Sequence, residues 1–208
     1  MNNVFVSRHP FILDKIAKLR DKNTSILDFR RLTAEISMFL GYEALKDAKT
    51  RKAKVPTPLG FSNSSKINQE VIFVAILRAG LGMLEGLSKL YPEAKLAHIG
   101  IYRNEETLEP VRYYSKLPRD IKESLVILAD PMLATGGSVI ESVNILKAHG
   151  AGEIRFIALI AARNGIERLR KAHPGVPIYV GAVDDRLNEK GYIVPGLGDA
   201  GDRMFGTN

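Results

Sequence analysis

A chain of 208 residues, 45% of them apolar, is long enough to bury a sizeable core and fits one domain over residues 1–208. Cysteine is absent, which excludes disulfides, zinc thiolate sites and cysteine nucleophiles. The 30 basic residues against 23 acidic ones leave a net charge of +7, suited to a polyanionic partner: nucleic acid, an acidic membrane or a multiply charged small substrate.

No charged-then-apolar leader stands at Met1 and no apolar run approaches the roughly 18 residues of a membrane span, so a cytoplasmic protein without membrane attachment is expected. Pro10 to Leu45 reads as two helices. In the second, Ile26, Phe29, Leu32, Ile36, Phe39 and Leu40 form one stripe, and Thr24 or Ser25 is the cap. That stripe packs on the core or on a partner subunit, core being the commoner outcome. The densest basic stretch, Lys46 to Lys54, lacks interleaved aromatics and reads as a solvated helix end and loop, not a nucleic-acid surface.

From Val71 onward five apolar, mostly β-branched runs recur: Val71 to Leu77, Leu96 to Tyr102, Leu125 to Ala129, Ile154 to Ala161 and Ile178 to Val183. Helical stretches fall between them at Leu81 to Leu90, Ser138 to His149 and Gly165 to Ala172. This alternation predicts an α/β fold with a doubly wound, mostly parallel sheet of about five strands, helices on both faces and the functional loops along one edge. Arg103 to Lys122, charged and containing Pro110 and Pro118, is long for a connection in such a fold. It reads as a lid over a polar substrate or as a solvated hairpin.

The segment from Ser124 to Ser138 carries the clearest chemistry. Leu125 to Ala129 suit a strand buried on both faces, and Asp130 then stands at its carboxyl end, where open α/β sheets bind ligands. Gly136 and Gly137 remove the Cβ atoms that would hold the backbone off an anion, and Thr135 and Ser138 add hydroxyl donors. A helix follows, with Val139, Val143 and Leu146 at helical spacing and Gly150 as its stop, so the turn is a positively polarised helix N-terminus. A ligand-free turn would have no use for a carboxylate on the rim. Asp130 beside a phosphate nest points instead to a sugar phosphate, the carboxylate accepting from ribose hydroxyls.

The last stretch, Tyr192 to Asn208, carries four glycines and little periodicity. Its Tyr192, Ile193, Val194, Leu197, Met204 and Phe205 are too apolar for a solvated coil, so it reads as an ordered loop covering a site.

On these residues the sequence resembles the type I phosphoribosyltransferases. Asp130-Pro131-Met132-Leu133-Ala134-Thr135-Gly136-Gly137-Ser138 is similar to the phosphoribosyl diphosphate signature of the uracil branch, where proline replaces the second acid of the wider superfamily. Ile76 to Gly82, Tyr102 to Pro110 and Tyr192 to Asp202 are similar to that branch's diphosphate loop, mobile arm and uracil loop, so the likeness runs from about Arg8 to Thr207.

The resemblance implies the type I phosphoribosyltransferase fold and transfer of phosphoribosyl from its diphosphate (PRPP) to uracil, giving UMP. It implies that Arg78 and Arg103 contact the diphosphate, that Asp130 and the turn from Pro131 to Ser138 hold the ribose and 5-phosphate, and that Asp199 reaches PRPP. It further implies that Ile193, Gly198, Asp199 and Ala200 bind uracil, with Asp130, Arg103 and Asp199 the residues closest to catalysis. Mg2+ is expected through the substrate diphosphate, with no metal held by side chains alone. A homodimer or homotetramer and a GTP effector are implied as well. An RNA-binding regulator on the same fold is the rival reading of the +7 charge; the intact Asp130 loop with Arg78 and Arg103 favours the enzyme.

Overall fold

The structure, a computed structural model, describes residues 3–207 except 104–109, with the side chains of Arg103 and Pro110 also outside the description. A short strand β1 (Val4–Val6) leads into α1 (Pro10–Arg20), which opens on Pro10 with His9 as its cap and turns Ile12, Ile16 and Leu19 inward. Ser25 caps α2 (Ile26–Ala44), its hydroxyl accepting from the Asp28 N–H at 3.1 Å. Of the predicted stripe on α2, Phe29, Leu32, Ile36 and Leu40 are buried, while Ile26 is exposed.

Residues 50–67 correct the sequence reading. Where Lys46 to Lys54 reads as a helix end and loop, β2 (Thr50–Thr57) and β3 (Gly60–Ile67) form an antiparallel hairpin, paired from Thr50 with Ile67 to Thr57 with Gly60. Both faces of this ribbon are largely exposed, so the alternation of apolar and polar residues that marks a half-buried strand never arises.

The alternating part follows as β4 (Val71–Leu77), α3 (Leu81–Leu90), β5 (Lys95–Arg103), β6 (Pro110–Lys116), a single 3-10 turn at Ile121–Glu123, β7 (Leu125–Ala129) and β8 (Met132–Leu133). It continues with α4 (Gly137–Ala148), β9 (Glu153–Ala162), α5 (Arg163–Ala172) and β10 (Ile178–Asp184). Two short paired strands, β11 (Arg186–Leu187) and β12 (Ile193–Val194), and a closing helix α6 (Ala200–Phe205) complete the chain.

The main sheet has eight strands in the order β1-β10-β9-β7-β4-β5-β6, with β8 also paired to β9. All neighbours are parallel except β5 and β6. The five predicted strands form its continuous centre. The three extra ones are two edge strands and the two-residue β8, positions where one side lacks a partner and the apolar signal is weak. In the stretch Arg103 to Lys122, β6 pairs antiparallel with β5, in accord with the hairpin reading; residues 104–109 lie outside the described residues.

Alternate residues of the central strands feed opposite faces. Phe73, Ala75, Ile127 and Leu159 pack under α1, α2, α3 and α6, while Ile72, Val74, Val126, Leu128 and Phe156 pack under α4 and α5. Burial on both faces is why these strands read as unbroken apolar runs. From β4 the chain steps out to β5, then returns to the far side of β4 as β7 and proceeds to β9 and β10. That order puts the topological switch between β4 and β7, so a ligand crevice is expected at their carboxyl ends.

Candidate functional site

Two loops meet at this switch point. After β4 come Arg78, Ala79 and Gly80, with the Leu77–Arg78 peptide bond cis; after β7 come Asp130 and Pro131. Gly80 lets them touch: a Cβ there would lie 2.6 Å from the Ile76 carbonyl oxygen and 2.7 Å from that of Ala129. The backbone just before Asp130 therefore presses on the loop that presents Arg78.

At Pro131 the strand pauses. The Pro131 carbonyl accepts from the N–H groups of both Leu159 and Ile160 at 3.1 Å, and pairing with β9 resumes at Met132. Asp130 is left half-buried at the rim of an apolar sheet. Burial pushes its carboxyl up to about 7, with a backbone hydrogen bond from Met132 acting in the opposite direction. A carboxyl poised near neutrality at a rim is a mark of a functional position. Pro131 and Leu133 are buried, so within the predicted turn they serve by fixing the backbone.

The turn itself is shaped for close approach. Gly136 takes φ 82°, the left-handed region that glycine enters without strain, and caps α4, which begins at Gly137, one residue before the predicted start. The first amides of that helix, at Gly137, Ser138 and Val139, have no acceptor within the helix and point outward at its positive end. Two residues that the sequence did not single out support the turn from behind. Arg168 of α5 donates through Nη1 to the Thr135 carbonyl at 2.8 Å, and Gly165 approaches so closely that a Cβ would lie 2.6 Å from the Leu133 carbonyl oxygen. Neither carries a local sequence signal, because both belong to a helix distant in the chain.

Arg78 is largely exposed and lies 3.7 Å from Asp202 Oδ1 on α6. A Cβ on Gly201 would be 3.2 Å from Asp199 Oδ1 and 4.0 Å from Arg78 Nη2, which gathers Asp199, Asp202 and Arg78 around one point. The terminal segment thus reaches the same rim as the Arg78 loop. It is ordered, as expected from its apolar content, but ends in the six-residue helix α6, not in loop alone. Asp199 caps that helix, Oδ1 accepting from the Asp202 N–H at 3.0 Å, while the Tyr192 hydroxyl lies 3.5 Å from Oδ2. Ile193 and Ala200 are buried, and Gly198 takes φ 80°. Arg103 ends β5 at this edge of the sheet; its side chain lies outside the described residues.

No group of three or more metal-ligating side chains occurs among the described residues. The donors on the rim suit a polyanion bound by amides, hydroxyls and arginine, with a few carboxylates for hydroxyl groups. A cleft of about 870 Å³ lies away from this rim, between β1, α1 and α2, lined by residues including Phe5, Val6, Phe39 and Tyr42.

Comparison with known proteins accords with this chemistry. Residues 6–207 match the family described as uracil phosphoribosyltransferase. A uracil phosphoribosyltransferase of Dictyoglomus thermophilum is 52% identical over 205 residues, covering 98% of this chain and 99% of that protein. One of Halalkalibacterium halodurans is 50% identical over 208 residues, covering both chains completely. Among solved structures, the AQ2163 protein of Aquifex aeolicus is 42% identical and superimposes with a TM-score of 0.93 over 97% of each chain. A purine phosphoribosyltransferase from Pyrococcus horikoshii, 20% identical with a TM-score of 0.51 over 73% of this chain and 82% of that one, shares the fold.

Proposed function

The chain belongs to the uracil phosphoribosyltransferase family, and on that premise we propose how its rim residues carry the transfer. The reaction joins uracil to PRPP, giving UMP and diphosphate in pyrimidine salvage. A ring nitrogen of uracil bonds to the anomeric carbon, the bond from that carbon to the diphosphate oxygen breaks, and the ring nitrogen gives up its proton. Positive charge develops on the ribose while negative charge collects on the leaving group, so both ends need stabilisation.

The observation that carries the assignment is the meeting of the Arg78 and Asp130 loops at the sheet's switch point. Arg78 and Arg103 neutralise the departing diphosphate, each a planar fork of permanent charge. Asp130 orients the ribose hydroxyls. The backbone from Pro131 to Ala134 sets the turn, and the amides and hydroxyls of Thr135, Gly136, Gly137 and Ser138 hold the 5-phosphate. Ile193, Gly198 and Ala200 present main-chain groups to the uracil edge, and Asp199 stands between base and PRPP. Much of the rate enhancement on this account is positioning and electrostatics. Magnesium carried by the substrate would add positive charge beside Arg78 and Arg103, with no side-chain cluster among the described residues to hold it alone. The reading is tested by diphosphate release from magnesium–PRPP with each nucleobase offered separately; release with uracil alone is expected.

Substrate binding should also register in stability. Magnesium–PRPP at 100 times its Kd is expected to add about 2.7 kcal/mol, read as a rise in melting temperature. No shift at saturating ligand would remove the phosphate site.

Asp199 has a structural duty as well as the proposed chemical one, and two substitutions separate them. Asp199→Asn keeps a good cap, whereas Asp199→Ala loses it at about 1 kcal/mol. If the charge serves the reaction, both variants lose turnover and only the alanine variant melts earlier. Parent kinetics in Asp199→Asn would reduce the residue to a helix cap.

A homodimer or homotetramer is supported by two unpartnered features. The hairpin of β2 and β3 stands apart from the main sheet with Leu59 fully exposed at its turn, although isolated hairpins are marginal in water. The cleft beside β1 leaves further apolar surface uncovered. Light scattering on the eluted protein tests this. No helix among the described residues is long and apolar enough to cross a membrane. Control by GTP rests on the family resemblance, and titration of the activity with GTP checks it.

A further inference from the structure

The segment assigned to uracil is held by a device that includes none of the assigned residues. Asp184, the last residue of β10, is nearly buried, its side chain 8% exposed. Arg20, the last residue of α1, meets it with a two-pronged pair, Nη1 donating to Oδ2 at 2.8 Å and Nη2 to Oδ1 at 2.7 Å. The same two side chains grip both sides of Gly196. The Gly196 N–H donates to Asp184 Oδ2 at 2.9 Å, and the Gly196 carbonyl accepts from Arg20 Nη1 at 2.7 Å.

The next residue is held from the other direction. Arg203 of α6 donates through Nη1 to the carbonyls of Leu197 and Leu19, at 2.9 and 2.8 Å, and through Nη2 to that of Asp21 at 2.5 Å. Its guanidinium sits 4.5 Å from the centroid of the Phe29 ring. The end of α1, with Leu19, Arg20 and Asp21, therefore forms a mould for Gly196 and Leu197. Both loop residues immediately precede Gly198, Asp199 and Ala200.

We propose that Arg20 and Asp184 are positioning residues for base recognition: by fixing Gly196 on both its donor and its acceptor, they set the main-chain groups that read the uracil edge. Among the described residues the pair makes no hydrogen bond or ion pair with Arg78, Asp130 or residues 131–138, so its effect should fall on the base and spare PRPP. A main-chain reading site needs such a clamp, because discrimination between uracil and cytosine depends on donors and acceptors held in place. The glycines that allow close approach otherwise leave that backbone loose. The inference rests on the assignment of residues 193–200 to uracil.

The test uses Asp184→Asn, which keeps an acceptor for the Gly196 N–H but loses the charged fork, and Arg20→Lys, which keeps the charge but loses the two-pronged geometry. Steady-state kinetics with each substrate varied should show KM for uracil raised about tenfold or more, with KM for PRPP unchanged and kcat within about threefold. The preference for uracil over cytosine should fall in step. Arg20→Lys carries the same test if Asp184→Asn does not fold. Parallel losses with both substrates, or no change with either, would overturn the proposal and leave a merely structural pair. Hydrogen exchange on the parent enzyme distinguishes the underlying assignment. Protection of residues 193–200 by UMP together with an unchanged KM for uracil in the variants refutes the positioning role alone, whereas absence of that protection refutes the uracil loop itself.

Discussion

Asp130→Asn is expected to yield an enzyme slower by about a hundredfold or more, yet more stable than its parent above pH 7. On the proposed role the loss follows because a neutral amide would offer the ribose hydroxyls a weaker acceptor and would not balance the charge developing on the sugar; removing one such electrostatic contact costs on the order of 10²–10³ in rate. The gain in stability follows from linkage. The native carboxyl titrates near 7, well above its ordinary value of 3.8, because burial penalises the charged form. Between those two values the native state holds a proton that the unfolded chain has released, so stability falls as pH rises from about 4 to about 7 and stays low above that. The full shift corresponds to about 4 kcal/mol, but the side chain keeps some access to water, so we expect a gain on the order of 1–3 kcal/mol from the amide. Denaturant melts at pH 5 and pH 8 read the effect, with parent and variant converging at the acid end. An Asp130→Asn protein with parental kcat, or one less stable at pH 8, would place the residue outside the site.

Gly86→Ala is expected to cost the fold about 2 kcal/mol or more, although alanine is the better helix former. Gly86 lies on α3 against α2, and a Cβ there would overlap the carbonyl oxygen of Ala34. The obstacle is backbone, so neither side can yield by changing a rotamer, and overpacking of this kind costs about 1–3 kcal/mol or more, set against a gain of about 1 kcal/mol in helix propensity. A fall in melting temperature of about 4–8 °C is the readout for a chain of this size. Because α3 begins one residue after Gly80, forcing it from α2 should also disturb the Arg78 loop and weaken PRPP binding. Gly175→Ala is the control: nothing lies within 4 Å of a Cβ at that position, so it should be neutral. Equal stability of the two variants would show that α2 and α3 slide apart freely.

The centre of the sheet was legible before any coordinates. Strands buried on both faces announce themselves as apolar runs, and Val71–Leu77, Leu125–Ala129 and the helix Leu81–Leu90 have the bounds their sequence predicts. The acid ending one such run and the paired glycines after it, Asp130 to Ser138, likewise announced a turn into a helix, since such a turn is built from consecutive residues. The hairpin at residues 50–67 escaped because its two exposed faces leave no periodic signal, and α6 because its six residues include a glycine. What no local pattern could hold is the set of contacts made across the chain. Gly80 and Gly86 read as ordinary turn and helix residues until the Ala129 and Ala34 carbonyls are seen against them. Arg168 supports Thr135 from a different helix, and Arg20 closes on Asp184 across a sequence separation of 164 residues. The sequence by itself determined which residues could build strands, helices and the glycine turn into α4, because these depend on neighbours in the chain. Which of them share one rim, and which side chains hold the loop there, was decided by the order in which the strands pack, since close approach and charge pairing depend on distance in space.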